Sequence, residues 1–153
     1  MQVPRGITGF YTAKDPPLPT FAVQDFTTIG YAVARILGAT VIHRDLHPHA
    51  ARSYSILILQ AGHERWSLLG HVIHPIIASV AEAINEYVSN RPFADLPALA
   101  AIAPDFGVTT YPAHFLNHAV DPRWLTNLAA VEMREIRDWK PQRMGDIIFN
   151  FWD

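Results

Sequence analysis

The sequence predicts an α+β fold, an antiparallel sheet with helices packed mainly on one face, with residues 1–153 forming a single globular domain. Three observations carry this expectation. Half of the residues are hydrophobic and only 17% are charged, the composition of a chain that buries a core. Two apolar, β-branched runs, Ser53–Gln60 and Arg65–Ile73, flank Ala61-Gly62-His63-Glu64 as the strands of a hairpin would. Apolar residues recur at helical spacing in separate stretches before and after that hairpin.

Taken in order, residues 2–12 alternate loosely around Ile7, between Gly6 and Gly9, and read as a first strand or extended arm. Prolines 16, 17 and 19 make Lys14–Pro19 a stiff loop that no helix crosses. Asp25 or Thr27 then caps a helix through about Leu37. Ile29, Ala32, Val33, Ile36 and Leu37 supply its apolar positions, and Gly38 is a natural stop. A short strand, Ala39–His43, leads into a histidine-rich loop at 43–49, and the hairpin follows. From Ser79 through Val88 the pattern suits a helix ended by Asn90 and Pro92. A second short helix is expected from Asp95 to Ile102, and a short strand from Val108 to Tyr111.

Asp121-Pro122 opens a segment whose Leu125, Leu128, Ala129, Met133, Ile136 and Trp139 fall at helical spacing and which must end before Pro141. A strand over Val131–Trp139 is the rival reading, disfavoured because Glu135 followed by Ile136 breaks the alternation. The stretch Gly145–Asp153 is expected to be a docked interior strand around which the chain packs. Ile147, Phe149 and Phe151 would lie on one face, with Ile148, Asn150 and Trp152 on the other.

The totals exclude several classes. The formal charge of −2 divides into +2 over residues 1–80 and −4 over 81–153, so neither half offers a basic footprint for nucleic acid. Without cysteine there is no disulfide and no thiolate metal site. Met1–Gly6 opens no apolar run of signal-peptide length. The most apolar run, Ser67–Ala83, is interrupted by His71 and His74 and is too short to span a bilayer. A cytoplasmic protein with no membrane partner is the expectation.

His43-Arg44-Asp45 and Asp105-Phe106-Gly107 imitate two protein-kinase triplets. Ala50 stands where the metal-binding asparagine belongs, and no glycine-rich loop precedes them. The loop also invites a metal reading. His43, Asp45, His47 and His49 supply imidazole and carboxylate, and His71-x-x-His74 and His114-x-x-x-His118 could add ligands, the latter pair spaced for one helical face. No H-E-x-x-H, G-x-S-x-G or phosphate loop is present, so no catalytic residue, metal or cofactor is assigned. Glu82/Glu86 and Glu132/Glu135 read as solvated helix faces beside Arg134 and Arg137. Trp66, Trp124, Trp139 and Trp152 read as core. Trp139-Lys140-Pro141 followed by Arg143 is a candidate exposed patch with the guanidinium stacked on indole.

Trp139-Lys140-Pro141-Gln142-Arg143-Met144-Gly145-Asp146-Ile147-Ile148-Phe149-Asn150-Phe151-Trp152-Asp153 resembles the ending of a group of small bacterial proteins, which runs W-[KR]-P, a few residues, G-[DE], two aliphatics and F-N-x-W-D. Those proteins are similar to immunity proteins of polymorphic toxin systems. The resemblance implies a non-enzymatic binder of a cognate toxin domain, with no cofactor. Gly145, Phe149, Asn150, Trp152 and Asp153 read as its fold signature, and toxin contacts are not carried over residue by residue. From the residues themselves, loop-borne contacts are expected at Arg44, His47 and His49, at Tyr111 and His114, and at Trp139 with Arg143, leaving Gly145–Asp153 untouched. The alternative is a small metal-dependent hydrolase using the His43–His49 loop. Oligomeric state is left open.

Overall fold

The computed structural model describes residues 1–46, 51–85, 87–88 and 90–152. Its frame is a four-stranded antiparallel sheet in chain order: β1 (Thr40–Asp45), β2 (Tyr54–Ala61), β3 (Glu64–His71) and β4 (Ile77–Val80). β2 and β3 are the expected hairpin, in unbroken register from Tyr54–His71 to Ala61–Glu64. Gly62 takes the turn at φ 62°, a conformation that costs a residue without Cβ little. Residues Tyr54–Leu59 are all buried. Successive side chains point to opposite faces, so Ile56 and Ile58 enter one core while Leu57 and Leu59 enter another.

Each face has its own cover. α1 (Val23–Leu37) and α2 (Pro97–Ile102) lie on one, where Phe26, Ile29, Val33 and Leu99 meet Leu57, Leu68 and Ile77. Val3 and Ile7, α3 (Ala113–Leu116) and α5 (Met144–Ile148) lie on the other, where Phe93, Phe115, Ile147 and Phe149 meet Ile56, Ile58, Leu69 and Val80. The α+β class and the antiparallel sheet are as expected. α1, the longest helix, packs along one face; β2 and β3 are apolar on the other side too, and there the arm, loops and the short α3 and α5 cover them.

Several boundaries shift for identifiable reasons. α1 starts at Val23 behind Ala22. Asp25 therefore sits in the first turn instead of capping, and the Thr27 hydroxyl donates to the Val23 carbonyl. Gly38, at φ 63°, ends the helix as anticipated. The helix expected from Ser79 to Val88 is not formed: Ile77–Val80 continues the sheet as β4. Beyond it, the Ser67 hydroxyl donates to the Glu82 carbonyl at 2.7 Å and accepts from the Ile84 amide at 3.0 Å, taking the backbone groups a helix would have used. Ile84 and Val88, spaced as on a helix, are buried one at a time. In place of a strand at 108–111 there is a single parallel bridge, Ile76 to Thr109. The segment 125–139 is helical only as α4 (Ala130–Trp139), after a 3₁₀ turn at Pro122–Trp124.

The largest correction concerns 145–153. Residues Met144–Ile148 form α5, and only Phe151 bridges, to Arg52. Met144, Ile147 and Ile148 stand at i, i+3 and i+4 and are wholly buried, so a short apolar run that alternates as a strand also fits one turn of helix. The docking itself is as expected, since Phe149 is 1% exposed. Gly145 has its own reason: an added Cβ would overlap the Phe93 ring and the Leu116 carbonyl. Asp153 lies outside the described residues.

The arm at 2–10 is a run of turns, with Gly6 and Gly9 at φ 87° and 84°. It is bound by side chains from three elements. Glu132, at 0% exposure, accepts from the Gly6 and Thr8 amides at 3.1 and 3.2 Å, the Thr8 hydroxyl at 2.8 Å and the Ala129 amide at 2.9 Å. The solvated face expected for Glu132/Glu135 is thus wrong for Glu132, which both caps the start of α4 and clasps the arm. His71 is held neutral, its pKa lowered to about 3 by burial. Its Nε2–H donates to the Ile7 carbonyl at 2.7 Å while Nδ1 accepts from the Ile73 and His74 amides. Asn150 Nδ2 donates to the Thr8 and Ile147 carbonyls, both at 2.9 Å.

Two outcomes follow from this arm. Replacing Glu132 by Ala strands three amides and a hydroxyl, and should lower unfolding free energy by roughly 3–5 kcal/mol in denaturant titration. Gln, which sets an amide N–H against an amide donor, should recover only part of the loss. His71 is neutral when folded and protonates near pH 6.5 when unfolded, so its contribution is complete above 6.5 and is lost as pH falls toward 3. Its share of the slope should approach about 1.4 kcal/mol per pH unit. Denaturant titrations from pH 6.5 to 4.5, above the window of Asp121 (pKa about 2), should show a steeper loss for the parent than for His71→Gln. Equal slopes would exclude His71 as the source.

Candidate binding cleft

α4 ends at Trp139 because Lys140, at φ 51°, turns the chain and Pro141 cannot continue the helix. The following residues run extended beside 118–120: Ala119 bridges Arg143, and the Met144 amide donates to the His118 carbonyl at 2.9 Å. After α5, residues 150–152 run along 51–53. Ser53 and Asn150 exchange backbone and hydroxyl hydrogen bonds, and the Trp152 amide donates to the Ala51 carbonyl at 3.1 Å. Between these two passes opens a cleft of about 670 Å³, a volume suited to a small ligand or to a side chain from a partner.

Its walls are aromatic. Trp139 and Trp152 lie with ring planes 4° apart and centroids 6.2 Å apart, and Tyr87 packs on Phe151 at 5.1 Å. Trp139 is 44% and Tyr87 56% exposed. Tyr54 stands at the back, its phenol pushed up to about 12 by burial against the opposing effect of Arg52 and a hydrogen bond to the Val88 backbone. Lys140 and Gln142 lie exposed on the rim.

The polar floor is occupied by structural bonds. Arg143 donates to both Asp146 oxygens (3.0 and 2.7 Å), to the Arg91 carbonyl (2.6 Å) and to Asn117 Oδ1 (3.1 Å), and its guanidinium lies 5.0 Å from the Phe93 ring centre. Asn117 in turn accepts from the Phe93 amide and donates to the Phe93 carbonyl, both at 2.9 Å, as a strand partner would. The expected stack of Arg143 on a tryptophan is therefore replaced: the cation packs on phenylalanine, and the indole ring of Trp139 packs on indole. Asn150 Oδ1 is buried with no hydrogen-bond partner among the described residues. This set can stack against planar or apolar groups and hydrogen-bond at the rim.

Of the expected contact residues that are described, Trp139 and Arg143 line this cleft and Arg44, Tyr111 and His114 do not. Arg44 is exposed on β1. Tyr111 is half-buried against Phe115 and lines a separate hollow with Leu96 and Pro97, and His114 is exposed on α3. His47 and His49 lie outside the described residues. Among the described residues no three His, Asp or Glu groups gather at metal-binding distance. Asp45 pairs with the buried Arg52 at 2.8 Å, and His71 has both ring nitrogens engaged by the backbone. His118 lies past the end of α3, so the face expected for His114 and His118 does not form. Of the carboxylate pairs, Glu82 pairs with Arg91, while Glu86 is outside the described residues. Sequence reasoning missed Asn117, Tyr54 and Tyr87, which also line the cleft. Each is a single polar or aromatic residue without a spacing partner.

No family model, no curated protein and no solved structure matches this chain. No helix among the described residues is long and apolar enough to cross a membrane.

The two halves of the cleft should respond differently to substitution. Arg143→Ala should cost roughly 2–3 kcal/mol of stability, since it abandons a paired carboxylate and several acceptors. Trp139→Ala, which loses one exposed ring stack, should cost about 1 kcal/mol. Thermal or denaturant unfolding of the two variants measures both.

Proposed function

We propose that the chain is a non-enzymatic binding protein that neutralises a cognate bacterial toxin domain, with the cleft between Trp139 and Tyr87 as its contact centre. One observation carries the reading. The stretch that resembles the ending of immunity proteins, from Trp139 onward, is the stretch that lines this cleft and presents its aromatic rim. Exposed tryptophan and tyrosine are the side chains that most often anchor protein interfaces, because they desolvate a large rigid area at small entropic cost. An inhibitor needs a complementary surface of about 800 Å² per partner, and the cleft supplies its middle. Contacts are assigned to Phe151 and Trp152 as well as to the loops, which revises the expectation that Gly145–Asp153 stays clear of a partner.

Co-expression with a toxin domain encoded beside this chain is the test. Rescue of growth, a complex that survives gel filtration, and weakening of that complex by at least about tenfold in Trp139→Ala and Tyr87→Ala are the expected results. Equal killing with and without this protein would sink the proposal. About one zinc per purified chain, lost in the double variant His47→Ala, His49→Ala, would favour the metal-dependent hydrolase instead.

A further inference from the structure

The two edges of the sheet are treated differently. Beyond β4, the Ile77 amide donates to the Thr109 carbonyl, Val80 bridges Phe93, and the Ala94 amide donates to the Ser79 carbonyl, so that edge is covered by chain. β1 pairs with β2 on one side only, and among the described residues no strand pairs with its other side. A row of outward amides and carbonyls is a template for another strand. Neither proline nor lysine guards it in Thr40–Asp45, Arg44 is its one exposed cation, and the register shift at Ile42 is the one irregularity along it.

Both flanks of this edge are partly apolar. The register shift between Val41 and His43 sets Ile42 out of the ladder with β2 and leaves it 45% exposed. It lines a hollow of about 310 Å³ with Ile58, Ala83 and Ile84. On the opposite face, Tyr31 at 42% exposure joins Ala34, Ala39 and Val41 around a second hollow, also about 310 Å³. An extended strand laid along β1 would pair its backbone with the edge and send alternate side chains into the two hollows.

We infer that the strand is β1 of a second copy, joined antiparallel about a two-fold axis to make one eight-stranded sheet. The sequence is self-complementary in one register. With Val41 opposite Arg44 of the second copy, Ile42 falls opposite its His43 and Thr40 opposite its Asp45. The ladder with β2 places Val41 and Arg44 on the face of Leu57 and Leu59, and Thr40, His43 and Asp45 on the other, so each pair meets on one face. A C2 interface requires this kind of match of a surface with itself.

Sedimentation equilibrium of the full chain should give a dimer. Ile42→Lys, which sets two cations near the axis, should weaken it by at least about tenfold. Ile42 lies outside both cores, so the variant should still unfold in one cooperative transition, now independent of protein concentration. The chain has no cysteine, which allows a second measurement that does not depend on that variant. In the proposed register two residues at position 43 stand about 6 Å apart between Cα atoms, from strand spacing and rise, within disulfide reach. His43→Cys should therefore form a disulfide-linked dimer far faster than Lys14→Cys, on the exposed proline loop. A parent that stays monomeric at 100-fold the concentration of the assay, or equal cross-linking at both positions, would overturn the inference.

Discussion

The structure depends on a carboxylate buried away from the surface. Glu132 is fully buried, yet no cation among the described residues pairs with it; three backbone amides and one hydroxyl donate to its oxygens. Burying an ionised carboxylate costs several kcal/mol unless its oxygens are filled. The arm at residues 6–8 supplies three of the four donors, because Gly6 and Gly9 let it turn tightly enough to point successive N–H groups inward. Arm and helix α4 are therefore each incomplete without the other. Glu132 on the helix side is matched on the sheet side by His71, which accepts two amides and donates to Ile7.

The same economy positions the cleft. Asn150 reaches the Thr8 carbonyl, so the stretch after α5 is tied to the arm that Glu132 clasps. Arg143 and Asn117 tie the near wall to residues 91 and 93, and the far wall runs antiparallel beside Ala51–Ser53. Polar side chains thus do the connecting where regular secondary structure is short, and the aromatic rings they leave over face outward. Trp139, Tyr87 and Lys140 keep large exposed areas, whereas Arg143, Asp146 and Asn117 are engaged in hydrogen bonds that hold the walls together.

How much of this was legible in the residues follows physical lines. The hairpin, α1 with its Gly38 stop, and α2 could be read, because each is local: a turn glycine, an apolar period, a proline boundary. The role of Glu132 could not. In sequence it is an acid beside Arg134 on an amphipathic helix, and only its tertiary partners, more than a hundred residues away, reverse that reading. The same holds for Ser67, whose hydroxyl cancels the helix expected after Val80, and for 144–148, where a run of apolar residues fits both periods. Trp139 and Arg143, four residues apart in sequence, do line one cleft. The residues that complete their cleft came from 54, 87 and 117, positions linked to them only by folding.

The arm and α4 close as one unit through the Glu132 carboxylate. Hydrogen exchange at the Gly6 and Thr8 amides reads it most directly, because both protons point at that carboxylate and at nothing else. The account predicts that they exchange only by global opening, as slowly as the amides of β2, and that Glu132→Ala releases them together with the Ala129 amide while β2 stays protected. Rapid exchange at Gly6 and Thr8 in the parent chain, with β2 fully protected, would contradict it.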